Sequence, residues 1–418
     1  MREMKNSGTP WIGEVPASWS LVRFKDKYQS VKEIAREKSG EFERLALTLN
    51  GVIKRPKDDS EGLQPKEFDT YQILRENDFV FKMIDLQNIS TSRVGLSPYT
   101  GLVSPAYLRF SPKKEGQDNR FVYYYLMSLY YNCVFNNLGG NGVRSALNAT
   151  DIGEFIIPFP SDTEQQQICN YLEKQNKKVD ALIANEQSQI EKLKAYKQSL
   201  ITEVATKGLN PTAPTKDSGI EWMGDIPSSW KTLRGKNVFV LLDRPTQESD
   251  EVITCFRDGE VTLRKNRREE GFTFSEKEIG YQGIEAGDLV VHGMDGFAGS
   301  IGISDSRGKA SPVLIVLDSN QNKRYLMYYL RSLAFRDIFL ALSTGIRVRS
   351  CDLRWNKLSV LPILLPPIKE QDEIASYIDK KIKEIDKLIS IKQRKIEKLI
   401  DYKKSIVYEY VTGKKEVQ

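Results

Sequence analysis

The sequence contains one histidine, His292, and four cysteines among 418 residues. A single imidazole excludes any catalytic or metal site that needs two histidines from one chain. Cys133, Cys169, Cys255 and Cys351 lie far apart and form no Cys-x-x-Cys pair, which argues against a zinc site and indicates a reducing compartment. We therefore expect this chain to bind no metal.

Long apolar segments are also missing. No apolar run reaches the length that spans a membrane, and the N-terminal residues MREMKNSGTPWIGE contain no apolar core of signal-peptide length. The sequence therefore predicts a cytoplasmic protein with no membrane partner.

Catalytic motifs are absent as well. The chain has no GxxxxGK[ST] phosphate loop, no Asn-Pro-Pro-Tyr or Asp-Pro-Pro-Tyr motif, and no Ser or Cys in the sequence context of a nucleophile. Gly296, Gly299 and Gly302 are spaced three apart and not as GxGxxG, so turns are the favoured interpretation. We expect no catalytic residue and no cofactor bound by this chain.

The charge balance is mildly basic. Lys and Arg number 62 against 56 Asp and Glu, which gives a net charge of +6 and a pI near 8.8. This balance is compatible with nucleic acid binding without being diagnostic of it. A chain of this length is expected to form two or three domains.

What the sequence does contain is a long repeat. The stretch that begins EQQQICNYLEK at Glu164 recurs at an offset of 206 residues as EQDEIASYIDK from Glu370. Neither copy is interrupted by Pro or Gly over about 40 residues. Each predicts a helix of about 65 Å. Apolar residues spaced three or four apart predict coiled-coil pairing of the two helices. Two independent surface helices are the alternative. The stripe comprises Ile168, Leu172, Val179, Leu182, Ile183, Ile190, Leu193, Leu200 and Val204, and then Ile374, Ile378, Ile385, Leu388, Ile389, Ile396, Leu399, Ile406 and Tyr410.

A second repeat opens each half of the chain. SGTPWIGEVPASW at residues 7–19 matches SGIEWMGDIPSSW at 218–230. The second copy directly follows the first long helix. By the symmetry of the repeat, the first copy should lie at the end of the second long helix, which brings the two chain termini close together. The two helices should then run antiparallel. Residues 119–135 and 322–339 each read as one helix, and 73–81 reads as a turn followed by a strand.

These repeats predict an α+β fold: two α/β globular domains separated by a long antiparallel two-helix coiled coil, with a pseudo-two-fold repeat. The expected boundaries are a first domain at 1–160, a central helix at 161–208, an exposed Pro/Thr linker at 209–217, a second domain at 218–367 and a C-terminal helix at 368–418.

Polar and basic loops are the candidate binding residues. Arg and Lys neutralise phosphates and read guanine, whereas Asn and Gln read adenine edges. For any single residue, a solvated surface charge is the alternative. The tyrosine-rich segment 121–131 could stack on bases, although its helical spacing favours a core helix. The candidate DNA-binding residues are Lys54, Arg55, Lys82, Asp85, Gln87, Asn88, Arg93, Asn141, Arg144, Arg264, Lys265, Arg267, Arg268, His292, Asp295, Arg347 and Arg349.

Two divergent globular halves, each followed by Pro-x-x-x-Glu-Gln and a long helix, resemble the specificity subunit of type I restriction–modification enzymes. NDFVFKMIDLQNISTSRVGL, DLVVHGMDGFAGSIGISDSRGKASP and LPPIKEQDEIASYI are each similar to sequences of that family. The resemblance covers nearly the whole chain. It implies two domains that each read half of a split double-stranded DNA site, with the helices acting as a spacer.

The resemblance also implies the partners. Two modification subunits would dock on the helices and methylate adenine with S-adenosylmethionine, and restriction subunits would supply translocase and nuclease activity with ATP and Mg. Three alternatives stay open: a coiled-coil scaffold whose globular halves bind proteins, a specificity chain for a methyltransferase without a restriction partner, and a self-contained methyltransferase or nuclease.

Overall fold

The structure is a computed structural model that describes residues 2–49, 51–59, 67–84, 86, 93–138, 146–267, 279–342 and 353–417. It has an α+β fold. The chain divides into two compact units: Met1–Glu186 with Arg394–Gln418 form unit 1, and Gln187–Gln393 form unit 2. Each unit therefore contains one globular segment and about half of each long helix.

Unit 1 contains two four-stranded sheets, with strand orders β6-β5-β10-β7 and β4-β11-β8-β9, and the pairs β1-β2 and β12-β3. The strands are β1 (Met4–Asn6), β2 (Glu14–Pro16), β3 (Ser20–Arg23), β4 (Tyr28–Ser30), β5 (Arg44–Thr48), β6 (Gly51–Arg55), β7 (Gln72–Leu74), β8 (Phe79–Lys82), β9 (Arg93–Leu96), β10 (Gly101–Val103), β11 (Leu108–Pro112) and β12 (Ile156–Phe159). The helices are α1 (Phe24–Lys27), α2 (Arg120–Tyr131), α3 (Val134–Leu138), α4 (Ala149–Gly153) and α5 (Asp162–Lys207), the last of which continues into unit 2.

Unit 2 repeats much of this plan, with one four-stranded sheet in the order β16-β23-β20-β21 and four strand pairs. Its strands are β13 (Thr215–Asp217), β14 (Asp225–Pro227), β15 (Lys231–Arg234), β16 (Val240–Leu241), β17 (Ile253–Cys255), β18 (Val261–Leu263), β19 (Gln282–Ile284), β20 (Leu289–His292), β21 (Ile301–Ile303), β22 (Gly308–Ala310), β23 (Leu314–Asp318) and β24 (Pro362–Leu365). Its helices are α6 (Lys323–Phe335), α7 (Ile338–Ala341), α8 (Trp355–Leu358) and α9 (Ile368–Val411), the last of which ends in unit 1.

A turn that ends in a buried ion pair leads into the central strand β8, as the sequence predicts. Asn77 adopts a φ of 67°, and the next residue, Asp78, begins the run into Phe79. The Asp78 carboxylate accepts from Arg109 Nε at 2.5 Å and from Ser111 Oγ at 2.6 Å. Because the side chains of Asp78 and Arg109 are 3% and 5% exposed, each charge depends on the other for its stability.

Replacing Asp78 with alanine should lower the free energy of unfolding by about 3 kcal/mol, because the buried Arg109 would lose its buried carboxylate partner and keep the more exposed Glu33 at 3.2 Å. Urea denaturation of the full chain would measure the loss. Asp288→Ala in unit 2 is the matched control. Its partner Arg244 is 32% exposed and can be hydrated, so the loss should be smaller. Equal losses would contradict this account.

The tyrosine-rich segment forms a core helix. Phe121, Val122 and Tyr125 of α2 are buried in the core of unit 1, which confirms the core interpretation. The prediction of one unbroken helix over 119–135 is wrong, because Cys133 adopts a φ of 55° and separates α2 from α3. Unit 2 has the same break at Asp337, with a φ of 56° between α6 and α7. A left-handed residue cannot continue a right-handed helix.

The two long helices are present and lie antiparallel within each unit. In unit 1, Asp180 accepts from Lys403 at 2.7 Å and Glu186 accepts from Lys395 at 2.5 Å. In unit 2, Lys197 donates to Asp386 at 2.8 Å, and Lys392 donates to Gln189. Along each contact the residue numbers of one helix rise as those of the other fall.

The sequence predicts that the apolar stripe is buried between the two helices. The structure buries only part of it there. Ile168 and Leu172 of α5 and Ile406 of α9 join the globular core of unit 1. Leu182 and Leu388, which belong to the same stripe, are 46% and 47% exposed. The ends of the stripe therefore serve the globular cores, and part of its middle faces solvent.

The predicted closeness of the chain termini is confirmed within unit 1. Arg2 contacts Glu416 at 3.4 Å, and Lys414 donates to the carbonyl of Ile12 at 2.8 Å. Trp19 Nε1 donates to Glu164 at 2.9 Å at the start of α5. The repeat places the same bond in unit 2, between the indole of Trp230 and the carboxylate that starts the Glu-Gln motif of α9, at 3.1 Å.

Candidate nucleic-acid interface

A polar cleft of about 820 Å³ opens on unit 2. Its walls are the β17–β18 hairpin and the turn that follows β20. Gly259 has a φ of 91° at the hairpin tip, and a Cβ on Gly302 of β21 would overlap the Gly259 carbonyl. Glycine at both positions therefore allows the hairpin to lie directly on the sheet. The lining residues include Thr254, Cys255, Phe256, Arg257, Asp258, Arg264, Arg267, His292, Asp295, Ser300 and Ser311.

The hairpin holds one guanidinium in a fixed position. Arg267 lies over the ring of Phe256 at 4.2 Å and contacts Asp258 at 2.8 Å and Glu260 at 3.2 Å. An arginine that is stacked and bonded on its edges has lost most of its rotamer freedom before any ligand arrives. Arg267 is thus preorganised at the wall of the cleft.

The turn after β20 holds the histidine. Nδ1 of His292 accepts from the backbone N–H of Asp295 at 3.0 Å and from that of Met294 at 3.3 Å. An imidazole nitrogen that accepts hydrogen bonds carries no proton, so the proton of the neutral ring is on Nε2. The Asp295 carboxylate in turn contacts Arg257 at 3.2 Å. Two sequence candidates, His292 and Asp295, are therefore joined to a hairpin arginine.

Burial is the main cause that lowers the pKa of His292 below its ordinary value of 6.5. The carboxylate of Asp295 opposes this by raising the pKa, and the guanidinium of Arg257 lowers it further. His292 is therefore neutral at pH 7 and keeps the Nδ1 acceptor that its turn requires.

Because His292 is the only histidine, its titration can be followed directly by NMR of the ring Cε1–H signal. We expect a midpoint below 6.5 in the native chain. Asp295→Asn should lower the midpoint further, because it removes the carboxylate that stabilises the imidazolium. Arg257→Gln should raise it, because it removes a like charge. A native midpoint at or above 6.5 would show that the ring is not buried in this way.

Two small side chains complete the cleft wall. The hydroxyl of Ser300 is buried, and it has no hydrogen-bond partner in the part of the chain that the structure describes. Burial raises the pKa of the Cys255 thiol to about 12, so this residue is a protonated thiol at neutral pH and not a thiolate nucleophile.

Sequence reasoning missed Arg331 of α6, which supports the cleft from below. Its side chain is buried, and burial lowers its pKa. A Cβ on Gly259 would overlap its Nη1, and its guanidinium lies over the Phe335 ring at 5.5 Å. The repeat offered a signal, because the matching position of the first tyrosine-rich helix is Met127. A charged residue at an apolar repeat position indicates a different role in unit 2.

The structure brings together four of the sequence candidates in unit 2: Arg264, Arg267, His292 and Asp295 line the cleft. Lys265 does not line it and contacts Glu251 at 2.6 Å.

In unit 1, the neighbouring basic residues Lys54, Arg55 and Lys57 each bond to a different group. Lys54 contacts Glu43 at 2.5 Å, and Arg55 contacts Asp59 at 2.7 Å. Lys57 donates to the Ser39 carbonyl at 2.7 Å. Successive residues of a strand point to opposite faces, which is why neighbours on β6 separate.

Lys82 ends β8, where its backbone pairs with that of Arg93. Other candidates lie outside the described residues: the side chain of Arg93, and Asp85, Gln87, Asn88, Asn141, Arg144, Arg268, Arg347 and Arg349.

Metal-binding clusters and membrane-spanning helices are both absent from the described residues. They contain no group of three or more His, Cys, Asp or Glu positioned to hold a metal ion. Among them, no helix has the length and apolar character to cross a membrane.

Part of the chain matches a family model, and nearly all of it aligns with a known protein. Residues 30–192 match the family model described as the type I restriction modification DNA specificity domain. A protein of Methanocaldococcus jannaschii, provisionally named the type I restriction enzyme MjaX specificity subunit, is 23% identical over 440 aligned positions, covering 97% of this chain and 96% of that protein. Together these two matches support a specificity subunit of a type I restriction–modification system.

The chain is similar to a second specificity subunit in sequence and to a solved chain in fold. The MjaVIII specificity subunit of the same organism is 26% identical over 220 residues, which cover 48% of this chain and 49% of that protein. A solved chain from work described as "Structural basis underlying complex assembly and conformational transition of the type I R-M system" has a TM-score of 0.64 at 15% identity, covering 95% of this chain and 98% of that one. At this identity the likeness concerns the fold.

The match to the family model and the cleft fall in different halves of the chain. The match to the model ends at residue 192, whereas the cleft-lining residues lie between Ile253 and Leu314. The alignment with the MjaX specificity subunit covers both halves. The specificity-domain match therefore covers the first half of the chain, and the internal repeat relates that half to the second half, which bears the cleft.

Proposed function

We propose that this chain is the DNA-recognition subunit of a type I restriction–modification enzyme, in which each globular segment reads one half of a bipartite double-stranded DNA site. The observation that carries the proposal is the cleft of unit 2, where three arginines, a neutral histidine and two carboxylates converge in a chain similar to specificity subunits. Arg, His and Asp are side chains that read base edges.

The segments at 1–160 and 218–367 would be the two recognition domains, linked at 209–217. The helices at 161–208 and 368–418 would form an antiparallel coiled coil that fixes the gap between the half-sites. The antiparallel contacts described in each unit, such as Asp180 with Lys403 and Lys197 with Asp386, support this model. Two modules on one spacer gain affinity, because binding of one raises the effective concentration of the other.

Two modification subunits would dock on the exposed apolar residues of the helices. Unit 1 presents Leu182 and Tyr402, and unit 2 presents the repeat equivalents Leu388 and Tyr196, with exposures of 46%, 53%, 47% and 54%. Exposed apolar residues that recur at equivalent positions are typical of a partner surface. One such surface in each unit supports two modification subunits per chain.

The chain itself would be non-catalytic and bind no cofactor. S-adenosylmethionine would belong to the modification subunits, and ATP with Mg to the restriction subunits. All of these would act in the cytoplasm.

The test is adenine methylation with purified components. The chain alone should neither methylate nor cut DNA, and adding the cognate modification subunit should produce methylation at one split, asymmetric sequence. Methylome sequencing of cells with and without the chain identifies that sequence. Methylation by the pure chain would contradict a non-catalytic role. Complexes that bind only protein, insensitive to salt and nuclease, would favour a scaffold.

A further inference from the structure

We propose that the cleft of unit 2 is a base-reading pocket in which His292 is a fixed hydrogen-bond donor to the N7 atom of a purine. This inference rests on the proposed function, because it assumes that unit 2 binds DNA, and it names the chemistry that unit 2 reads.

The first support is the fixed tautomer of the ring. Nδ1 is occupied by the backbone N–H groups of Met294 and Asp295, so the nitrogen that remains is Nε2, which donates. A side chain that can only donate a hydrogen bond can pair with guanine, adenine or thymine, because each presents an acceptor in the major groove. It cannot pair with cytosine, whose edge there presents an N–H donor.

The second support is the pairing of charges around the histidine. Arg257 is bonded to Asp295, and Arg267 to Asp258. A phosphate site would present cations without carboxylate partners. This cleft instead offers donors and acceptors side by side, which matches the edge of a base rather than a phosphate.

The same pairing favours a purine over thymine. Guanine presents two acceptors, N7 and O6, for His292 and Arg257. Adenine presents the N7 acceptor together with an N6 donor, which suits His292 and Asp295. Thymine presents a single acceptor, O4, and a methyl group, so it would bond to His292 and to neither of the other two groups. The N7 acceptor is the chemistry that both purines share.

The third support is the Ser300 hydroxyl. It is 1% exposed and lies in the cleft wall, and it has no hydrogen-bond partner among the residues that the structure describes. Buried hydroxyls are nearly always bonded, so one without a protein partner in the wall of a polar cleft points to a ligand.

The variant that separates reading from folding is His292→Asn. Its side-chain oxygen can take the place of Nδ1 and accept from the backbone of the turn, whereas it has no donor where Nε2 lies. Lys231→Ala is the control, because Lys231 is an exposed strand residue of the same unit that does not line the cleft. Thermal unfolding of both variants would confirm that the fold is kept.

The experiment uses the chain in complex with its modification subunit and DNA duplexes that carry the mapped target. Each purine of the target is replaced in turn with 7-deazaguanine or 7-deazaadenine, which lack the N7 acceptor, and the Kd is measured by fluorescence anisotropy. At one purine, the replacement should weaken binding by the native complex about 10-fold. The His292→Asn complex should be insensitive there, and the Lys231→Ala complex should lose as much as the native one. Whether that purine is guanine or adenine identifies the base read.

The outcomes separate the two proposals. If the native complex binds no DNA sequence preferentially, the proposed function fails. If it binds a specific sequence but no 7-deaza position distinguishes His292→Asn from the native complex, the purine-reading role of His292 is wrong while DNA recognition stands. If the Lys231→Ala complex loses its sensitivity to the 7-deaza base as the His292→Asn complex does, that role is also wrong.

Discussion

Inserting four residues into each long helix, after Glu186 in α5 and after Gln393 in α9, should widen the gap between the two half-sites by about two base pairs. The two points face each other, because Glu186 contacts Lys395 and Gln189 contacts Lys392. Four helical residues add about 6 Å, and DNA rises about 3.4 Å per base pair. Four residues are slightly more than one turn, so the apolar stripe stays nearly in phase. The half-site sequences should not change, which methylome sequencing would check.

Two-residue insertions at the same points are the matched control. They rotate the stripe by about 200°, which turns apolar residues away from the partner helix and should destabilise the helix pair. Loss of the cooperative unfolding transition would report this. If the four-residue variant methylates DNA with the original gap, the helices do not set the spacing, and the spacer part of the proposed function is wrong.

Replacing both Leu182 and Leu388 with glutamate should prevent the chain from binding modification subunits and abolish methylation. A charge placed in a desolvated interface costs several kcal/mol, which corresponds to about 30-fold or more in affinity at each surface. The expected masses by light scattering are two modification subunits for the native chain, one for either single variant and none for the double variant.

Gln187→Glu is the control for this charge, since it adds the same glutamate at an exposed polar position of α5. It should keep both modification subunits. If the double variant folds and still binds two, these leucines do not form the docking surface, whereas the DNA-reading role of unit 2 would be unaffected.

The long helices were the most predictable part of the protein. An uninterrupted apolar period fixes the local backbone, so α5 and α9 could be placed to within a few residues. The repeat at Trp11 and Trp222 also predicted that the chain ends meet, as the contact of Arg2 with Glu416 confirms. Such features are encoded in short stretches and in their order along the chain.

Breaks of a single residue were not predictable. Cys133 and Asp337 take a left-handed conformation that the flanking apolar pattern does not signal, and each divides a predicted helix. Exposure of Leu182 and Leu388 was also missed, because a periodic stripe shows which residues share a face and not which neighbour covers it.

The sequence by itself determined the repeat, the long helices and the resemblance to specificity subunits, because those depend on periodicity and on residues close together in the chain. Only the tertiary structure decided which candidate residues form a site. Long-range strand pairing brings Arg267 and His292 to one cleft, while strand alternation separates Lys54 from Arg55. It also buries Arg331 beneath the hairpin. Composition indicates how many basic residues exist, but convergence in space depends on contacts between distant parts of the chain.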